Sequence, residues 1–325
     1  MKCTNNRKTL GCMLFAVALA LTGCGTPDYE MPYEKNNQVS SFQLVQVDNA
    51  QTAEPFAADL CVTDENISSS SVTISEVGAA ALFDLNKLNT LYSENANKQM
   101  HPASLTKIMT ALVALKYGSP DQVLTASENV IITESGAQLC GLKPGDTMTL
   151  GQALHILLIY SANDVAIMIA EGVGGSVEGF VEMMNEEAQE IGATNCHFMN
   201  PNGLTEDGHY VTAYDLYLIF DEALKYDLFN EIIQMPSYST TYTSRDGAEK
   251  NIEIETTNQF IKGNYDSPGN VTIIGGKTGT TNAAGHCLIL LARDNSGNPY
   301  ISIILNSKTT DDLYAQMTEL YKAIQ

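Results

Sequence analysis

PASLTKIMTALVALK, running from Pro102 to Lys116, opens with a residue that rarely continues a helix but suits the start of one. From Ala103 onward the composition turns to helix formers, with apolar residues at Leu105, Ile108, Met109, Leu112, Val113 and Leu115. That pattern predicts a buried helix beginning near Ser104. Lys107 follows Ser104 by three positions, so the two side chains share one helix face about one turn, roughly 5.4 Å, apart. The hydroxyl and the amine can therefore meet. A serine at a helix start also lies beside unpaired backbone N–H groups, which would stabilise an oxyanion formed there. Taken alone, the same residues read equally well as a plain N-cap serine and a solvated lysine.

Working outward, the chain has 325 residues, 44% of them hydrophobic and 17% charged, enough for one large or two ordinary globular domains. Its formal charge is −21. Residues 1–23 hold Lys2, Arg7 and Lys8 and no acid, so the remainder carries 14 basic against 38 acidic residues, or −24. So negative a body excludes nucleic acid as a natural partner.

The basic start is followed by an apolar run from Leu10 to Leu21, too short to span a bilayer comfortably. It ends in Leu21-Thr22-Gly23-Cys24, which resembles the lipobox of bacterial lipoproteins at all four positions. The resemblance implies a cleaved signal peptide over 1–23, acylation of Cys24, attachment to the cell membrane and an extracytoplasmic location. From 24 to 73 the composition is polar and mildly acidic and closes in Ser68-Ser69-Ser70-Ser71, as expected of a flexible tether. Phe42 to Val47 alternates like a short strand but has nothing nearby to pair with. The remaining cysteines, Cys61, Cys140, Cys196 and Cys287, are widely spaced, and His155, His197, His209 and His286 lack ligand spacing. Neither a disulfide framework nor a metal site is indicated, and the histidines read as structural.

The folded domain is expected over 74–325. Val77 to Asp84 and Leu88 to Ser93 read as a hairpin. Leu150 to Tyr160 is apolar nearly all round and must be buried, stopping at Ser161-Ala162-Asn163 before a helix from Asp164 to about Glu171. Ser176 to Ile191 is an amphipathic helix, with Glu178, Glu182, Glu186 and Glu190 on its solvated face. Thr212 is placed to cap a helix reaching about Tyr226. Val271 to Thr281, Gly285 to Arg293 and Pro299 to Ser307 are apolar strands, and Asp311 to Ile324 forms a closing helix. Strands at both ends with helices between predict an α+β fold: one antiparallel sheet completed by both termini, flanked by helices, with a largely helical insertion. The first late strand carries Gly275-Gly276-Lys277-Thr278-Gly279-Thr280, and glycines clustered in a strand imply close approach of another chain or ligand.

Ser104-Leu105-Thr106-Lys107, Ser161-Ala162-Asn163 and Lys277-Thr278-Gly279 stand in the order of the three motifs of the penicillin-binding proteins and serine β-lactamases. With PASLTKIMTALVAL, SANDVA, FMNPNGL, HYVTAYDL and GGKTGTTNAAGHCL around them, the chain resembles the D-alanyl-D-alanine carboxypeptidases over about Val77 to Ser307. The resemblance implies that Ser104 attacks a stem peptide of peptidoglycan ending in D-Ala-D-Ala, with Lys107 as base. Ser161 would relay a proton, and Asn163 would hold the peptide amide. Lys277 and Thr278 would bind the terminal carboxylate beside Gly279 and Thr280, and the N–H groups of Ser104 and Thr280 would form the oxyanion hole. β-Lactams would acylate Ser104, and no cofactor or metal is needed. Strand alternation puts Lys277 and Thr278 on opposite faces, so both can reach one cleft only from a sheet edge. Members often carry a further β-rich domain and a C-terminal membrane anchor. Here 45 residues (325 minus 280) follow Thr280, so an N-terminal lipid is expected instead. The alternatives are a serine β-lactamase, although the Glu-x-x-Leu-Asn pattern of class A enzymes is absent after the second motif, and a non-catalytic receptor for wall peptides or penicillin.

Overall fold

A computed structural model describes residues 57–324. The lipobox, Cys24 and the short alternating run at 42–47 lie outside these residues. Strands β1 (Ala79–Asp84) and β2 (Asn89–Glu94) form the N-terminal hairpin, and β7 (Val271–Thr281), β8 (Gly285–Asp294) and β9 (Pro299–Ser307) come from the other end of the chain. They make one five-stranded sheet in the order β2-β1-β9-β8-β7. Every pairing is antiparallel, and β1 joins the two ends of the sequence by pairing with β9 from Ala79↔Leu305 to Asp84↔Tyr300.

The sheet is covered on both faces, which explains why its strands read as continuous apolar runs. Ala79, Ala81 and Phe83 of β1 point with Ile301, Ile303 and Leu305 of β9 into one core. That core also contains Ile108, Leu112 and Val113 of α1 (Thr106–Tyr117) and Leu216, Ile219 and Phe220 of α5 (Ala213–Ala223). The intervening residues Ala80, Leu82, Leu288 and Leu290 face the opposite core, closed by Leu313, Tyr314, Met317 and Leu320 of α7 (Thr310–Leu320).

Between β2 and β7 lies the insertion. It contains α1, α2 (Leu150–His155), α3 (Asn163–Gly174), α4 (Val177–Glu190), α5 and α6 (Asp227–Ile233). A capping box of Thr149 and Gln152 starts α2, and Ser176 and Thr212 cap α4 and α5 by accepting backbone N–H bonds. The insertion is largely helical, and it also carries a four-stranded sheet in the order β3-β4-β5-β6. Its members are β3 (Val123–Thr125), β4 (Thr147–Thr149), β5 (Ser237–Thr243) and β6 (Glu249–Glu255). Among the described residues, no helix is long and apolar enough to cross a membrane.

One boundary moves. The expected tether, 24–73, is packed into the domain from residue 57 onward. Cys61 is fully buried; its N–H donates to the Tyr217 hydroxyl at 2.9 Å, and the Tyr214 hydroxyl donates to its carbonyl at 3.0 Å. Ile67 exchanges backbone hydrogen bonds with Ser93 of β2, each 2.9 Å. The reason lies in the sheet: β2 is an edge strand, and an uncovered edge is a template for unwanted pairing. A polar segment serves as this cover because it contributes mainly backbone and hydroxyl hydrogen bonds, which hydrophobic patterning does not register.

A chain begun at Ile74 should therefore unfold at a lower temperature than one begun at Ala57. It leaves the Tyr217 hydroxyl without its partner and the edge of β2 bare, and roughly 2 kcal/mol lost in this way corresponds to about 4–8 °C. Circular dichroism melts of the two chains at equal concentration check this; equal midpoints would return residues 57–73 to the tether.

Candidate active site

Ser104 sits in a 3-10 turn, Ala103–Leu105, that feeds directly into α1. Ala103 before it has a left-handed backbone, φ +47°, which costs an alanine about 1–2 kcal/mol. The turn is therefore held by its surroundings. From the first turn of α1, the Lys107 Nζ reaches Ser104 Oγ at 2.9 Å, Asn163 Oδ1 at 2.7 Å and the backbone carbonyl of Asn202 at 2.5 Å.

The second group comes from the break between α2 and α3. Residues Ile156–Tyr160 extend α2 as a π-helical turn, and Ser161 ends it in a left-handed conformation, φ +70°. Such turns inside helices recur at functional sites. The change of direction buries Ser161 and Asn163 side by side, and the Asn163 N–H donates to the Gln138 carbonyl at 2.8 Å. Asp164 next to it accepts from the N–H groups of Cys140, Gly141 and Leu142, tying the 138–142 loop to the start of α3.

The third group lies on β7, the outer strand of the main sheet, which is the edge position the alternation argument requires. Lys277 is buried and donates to Ser161 Oγ at 2.8 Å and to the Thr278 carbonyl at 2.9 Å. The Thr278 hydroxyl lies 2.6 Å from that of Thr257. Gly279 explains one of the strand glycines: a β-carbon there would stand 2.9 Å from the Ser104 nitrogen and 3.1 Å from Ala103 Cβ. Only a bare backbone lets β7 lie against the serine turn. Ser104, Ser161, Asn163, Thr278, Gly279 and Thr280 thus line one cleft of about 710 Å³. Lys107 and Lys277 are buried behind its wall and reach Ser104 and Ser161, and Cys24 falls outside the described residues.

The electrostatics follow from burial. Lys107 is wholly buried, and desolvation, helped by the charge of Lys277 and opposed by Asp164, holds its pKa well below the usual 10.5. Burial pushes Lys277 down to about 7. A neutral amine has two N–H donors and one lone pair. When Lys107 is neutral, the Asn163 and Asn202 oxygens, which can only accept, take its two N–H groups, and its lone pair faces the Ser104 hydroxyl. The arrangement can take a proton from that hydroxyl.

Sequence reasoning missed the groups that position these side chains. The Asn202 and Gln138 contributions are main-chain carbonyls, which no side-chain pattern announces. Gly203 is the legible part of its loop: at φ +83°, a β-carbon there would stand 1.9 Å from the Ala103 carbonyl oxygen. Among the described residues Cys61, Cys140, Cys196 and Cys287 are free thiols, and no group of three His, Cys, Asp or Glu side chains is placed to hold a metal ion.

An antiparallel sheet with a largely helical insertion, and a serine–lysine pair facing a Lys-Thr-Gly edge strand, define the penicillin-binding class of folds. The chain belongs to the D-alanyl-D-alanine carboxypeptidase family, whose model matches residues 65–309. It is similar to the D-alanyl-D-alanine carboxypeptidase DacF of Bacillus subtilis, with 34% identity over 251 residues, 75% of this chain and 61% of the relative. It is also similar to DacC of Escherichia coli, with 29% identity over 263 residues, 78% of this chain and 62% of the relative. The chain thus spans about three fifths of the length of these curated relatives. Among solved structures, the Streptomyces K15 DD-transpeptidase superposes with a TM-score of 0.70 at 26% identity, covering 78% of this chain and 98% of that one.

The depressed pKa of Lys277 has a measurable consequence. Between about 7 and the ordinary 10.5 the unfolded chain binds a proton at Lys277 that the folded chain does not, so this residue makes stability rise with pH across that window. Below pH 7 both states are protonated and the cost of burying the charge is fully present. Lys277→Met removes that dependence, so the parent should gain on the variant by roughly 1 kcal/mol per pH unit between pH 8 and 10. Urea unfolding of both proteins at pH 7, 8, 9 and 10 checks it; a constant difference would show that Lys277 keeps an ordinary pKa.

Proposed function

We propose that this protein is a serine-type D-Ala-D-Ala carboxypeptidase that trims peptidoglycan stem peptides and is acylated by β-lactams. The observation that carries the reading is the 2.9 Å contact between Ser104 Oγ and an Nζ whose other partners are two carbonyl oxygens. As the Ser104 oxygen bonds to the carbonyl carbon of the penultimate D-alanine, its proton passes to Lys107. The tetrahedral oxyanion lies between the N–H groups of Ser104 and Thr280. The C–N bond then breaks, the leaving amine takes a proton through Ser161, and D-alanine departs. Water next adds to the ester carbon, the bond to the Ser104 oxygen breaks, and the hydroxyl regains its proton.

Asn163 holds both the Lys107 amine and the substrate's peptide amide. Lys277, Thr278 and Thr280 receive the terminal carboxylate, with Gly279 letting the strand come close. Desolvation alone holds Lys277 near 7, so an arriving carboxylate favours its protonated form and binding draws a proton onto it. The lipobox supports a signal peptide over 1–23 and a lipid on Cys24, which would anchor the enzyme at the outer face of the cell membrane. The polar stretch after Cys24 would then link lipid to enzyme, and the catalytic domain would begin near residue 57 rather than 74.

Release of free D-alanine from a peptide ending in D-Ala-D-Ala is the deciding assay. Ser104→Ala should abolish both that release and covalent labelling by a fluorescent penicillin, since Ser104 is the hydroxyl facing the Lys107 amine. Labelling of Ser104→Ala at the parental rate would move the nucleophile elsewhere, and labelling of the parent without any D-alanine release would favour a receptor.

For the anchor, Cys24→Ala in the producing cell should shift the protein out of the detergent-extracted membrane fraction while turnover on a soluble peptide stays unchanged. An unaltered membrane fraction would refute lipidation at Cys24.

A further inference from the structure

Against the serine turn lies His209, a buried imidazole that does not line the cleft and that the acyl-transfer chemistry does not use. Its Nε2 is 3.0 Å from Thr106 Oγ1, and Thr106 Oγ1 is 2.9 Å from the carbonyl of Ala103. Only one assignment of protons satisfies both contacts. The Thr106 hydroxyl has a single proton, and the Ala103 carbonyl can only accept, so that proton goes to Ala103 and His209 donates its Nε2–H to the Thr106 oxygen. Nδ1 then carries a bare lone pair, and it is a buried atom without a hydrogen-bond partner. The opposite tautomer would bury an unpaired N–H, the rarer and costlier defect.

Two features make this relay more than packing. The carbonyl at its end belongs to Ala103, the residue held at φ +47° immediately before the nucleophile. His209 is itself fixed from behind: Met100 and Val211 exchange backbone hydrogen bonds of 2.8 and 2.9 Å, and the His101 ring contacts the His209 carbonyl at 3.1 Å. Burial, with the neighbouring rings of His101 and His197, pushes the pKa of His209 down to about 4, so the imidazole is neutral at physiological pH.

We propose that His209 is a positioning residue for acylation, its Nε2–H and the Thr106 hydroxyl forming a relay that locks the left-handed Ala103 turn and thereby aims Ser104 Oγ at Lys107. The inference rests on the acyl-transfer reading above. It assigns nothing to His209 in bond making. Losing the relay lets the turn relax toward an ordinary backbone, which moves the nucleophile relative to its base without altering the carboxylate-binding strand.

The test uses geometry that a space-filling role does not share. Gln carries a side-chain N–H where His carries Nε2–H, whereas Asn places its amide at the level of Nδ1, short of Thr106. In stopped-flow acylation by a fluorescent penicillin, His209→Asn and His209→Phe should lower the limiting acylation rate by roughly 10- to 100-fold, with the initial binding constant little changed. His209→Gln should retain most of the parental rate. Thr106→Val should match the His209→Asn loss, Thr106→Ser should not, and Thr106→Val with His209→Asn should be no slower than either alone. Folding of each variant is checked by circular dichroism, and if His209→Asn does not fold, Thr106→Val, which leaves the imidazole in place, decides.

Equal rates for folded His209→Gln and His209→Asn, losses that multiply in the double variant, or parental acylation by Thr106→Val would each overturn the relay. A labelled parent with an unlabelled Ser104→Ala control keeps such a failure separate from failure of the enzymatic reading. An unlabelled parent overturns that reading, and this inference with it.

Discussion

An amine taken out of water is the constraint on which the site depends. Lys107 is fully buried, and ordinary lysine chemistry would make it a cation with three donors. Burial disfavours that cation, but a neutral amine in a dry interior still needs partners for its two N–H groups. The fold supplies them from two unrelated places, the side chain of Asn163 at the start of α3 and the carbonyl of Asn202 in the loop before α5. Those two elements must therefore converge on α1, and the break at Ser161 and the Asn200-Pro201-Asn202-Gly203 turn are how the chain arranges it. The same loop is stitched to α1 a second time, where the Thr110 hydroxyl donates to the Pro201 carbonyl at 2.6 Å.

Close backbone approach is the second condition. The serine turn is squeezed between Gly279 of β7 on one side and Gly203 on the other, and a β-carbon at either position would strike the backbone of residues 103–105. Close packing of this kind surrounds the left-handed Ala103, a conformation the isolated chain would leave, and the Thr106 hydroxyl, itself met by His209, adds a hydrogen bond to its carbonyl. The edge location of β7 then does two things. It leaves Thr278 and Thr280 facing an open cleft, and it lets Lys277 extend inward to Ser161 from the same strand.

The parts of this architecture legible in the sequence are those written in side-chain pattern. The main-sheet strands and the long helices carry apolar runs or apolar periodicity, and the three motifs carry distinctive short residue patterns. The hairpin of β5 and β6 is hard to read from sequence, because Ser237–Thr243 and Glu249–Glu255 offer few apolar residues and, Ile254 apart, alternate between exposed and half-buried. Its Asp246-Gly247 turn was the available signal. β3 and β4, three residues each, are too short for any period to register. Residues 57–73 read as a linker by composition because they bind through Cys61, Thr63 and Ile67 backbone and hydroxyl groups. In the site, identities were readable and supports were not: a carbonyl such as that of Asn202 acts whatever its side chain is.

The two buried lysines look alike in composition and differ in valence. Lys107 has three hydrogen-bond partners, as many as its amine can engage in either protonation state, so its coordination is complete without substrate. Lys277 has two among the described residues, the Ser161 hydroxyl and the Thr278 carbonyl. A protonated Lys277 therefore keeps one N–H to give, and a neutral one can satisfy its surroundings without it. With a pKa near 7, close to the midpoint between these forms at neutral pH, it is suited to meeting an anion, whereas Lys107 is suited to taking a proton from its neighbour. One residue type is suited to two chemical purposes because the fold leaves one side chain fully partnered and the other with a donor to spare.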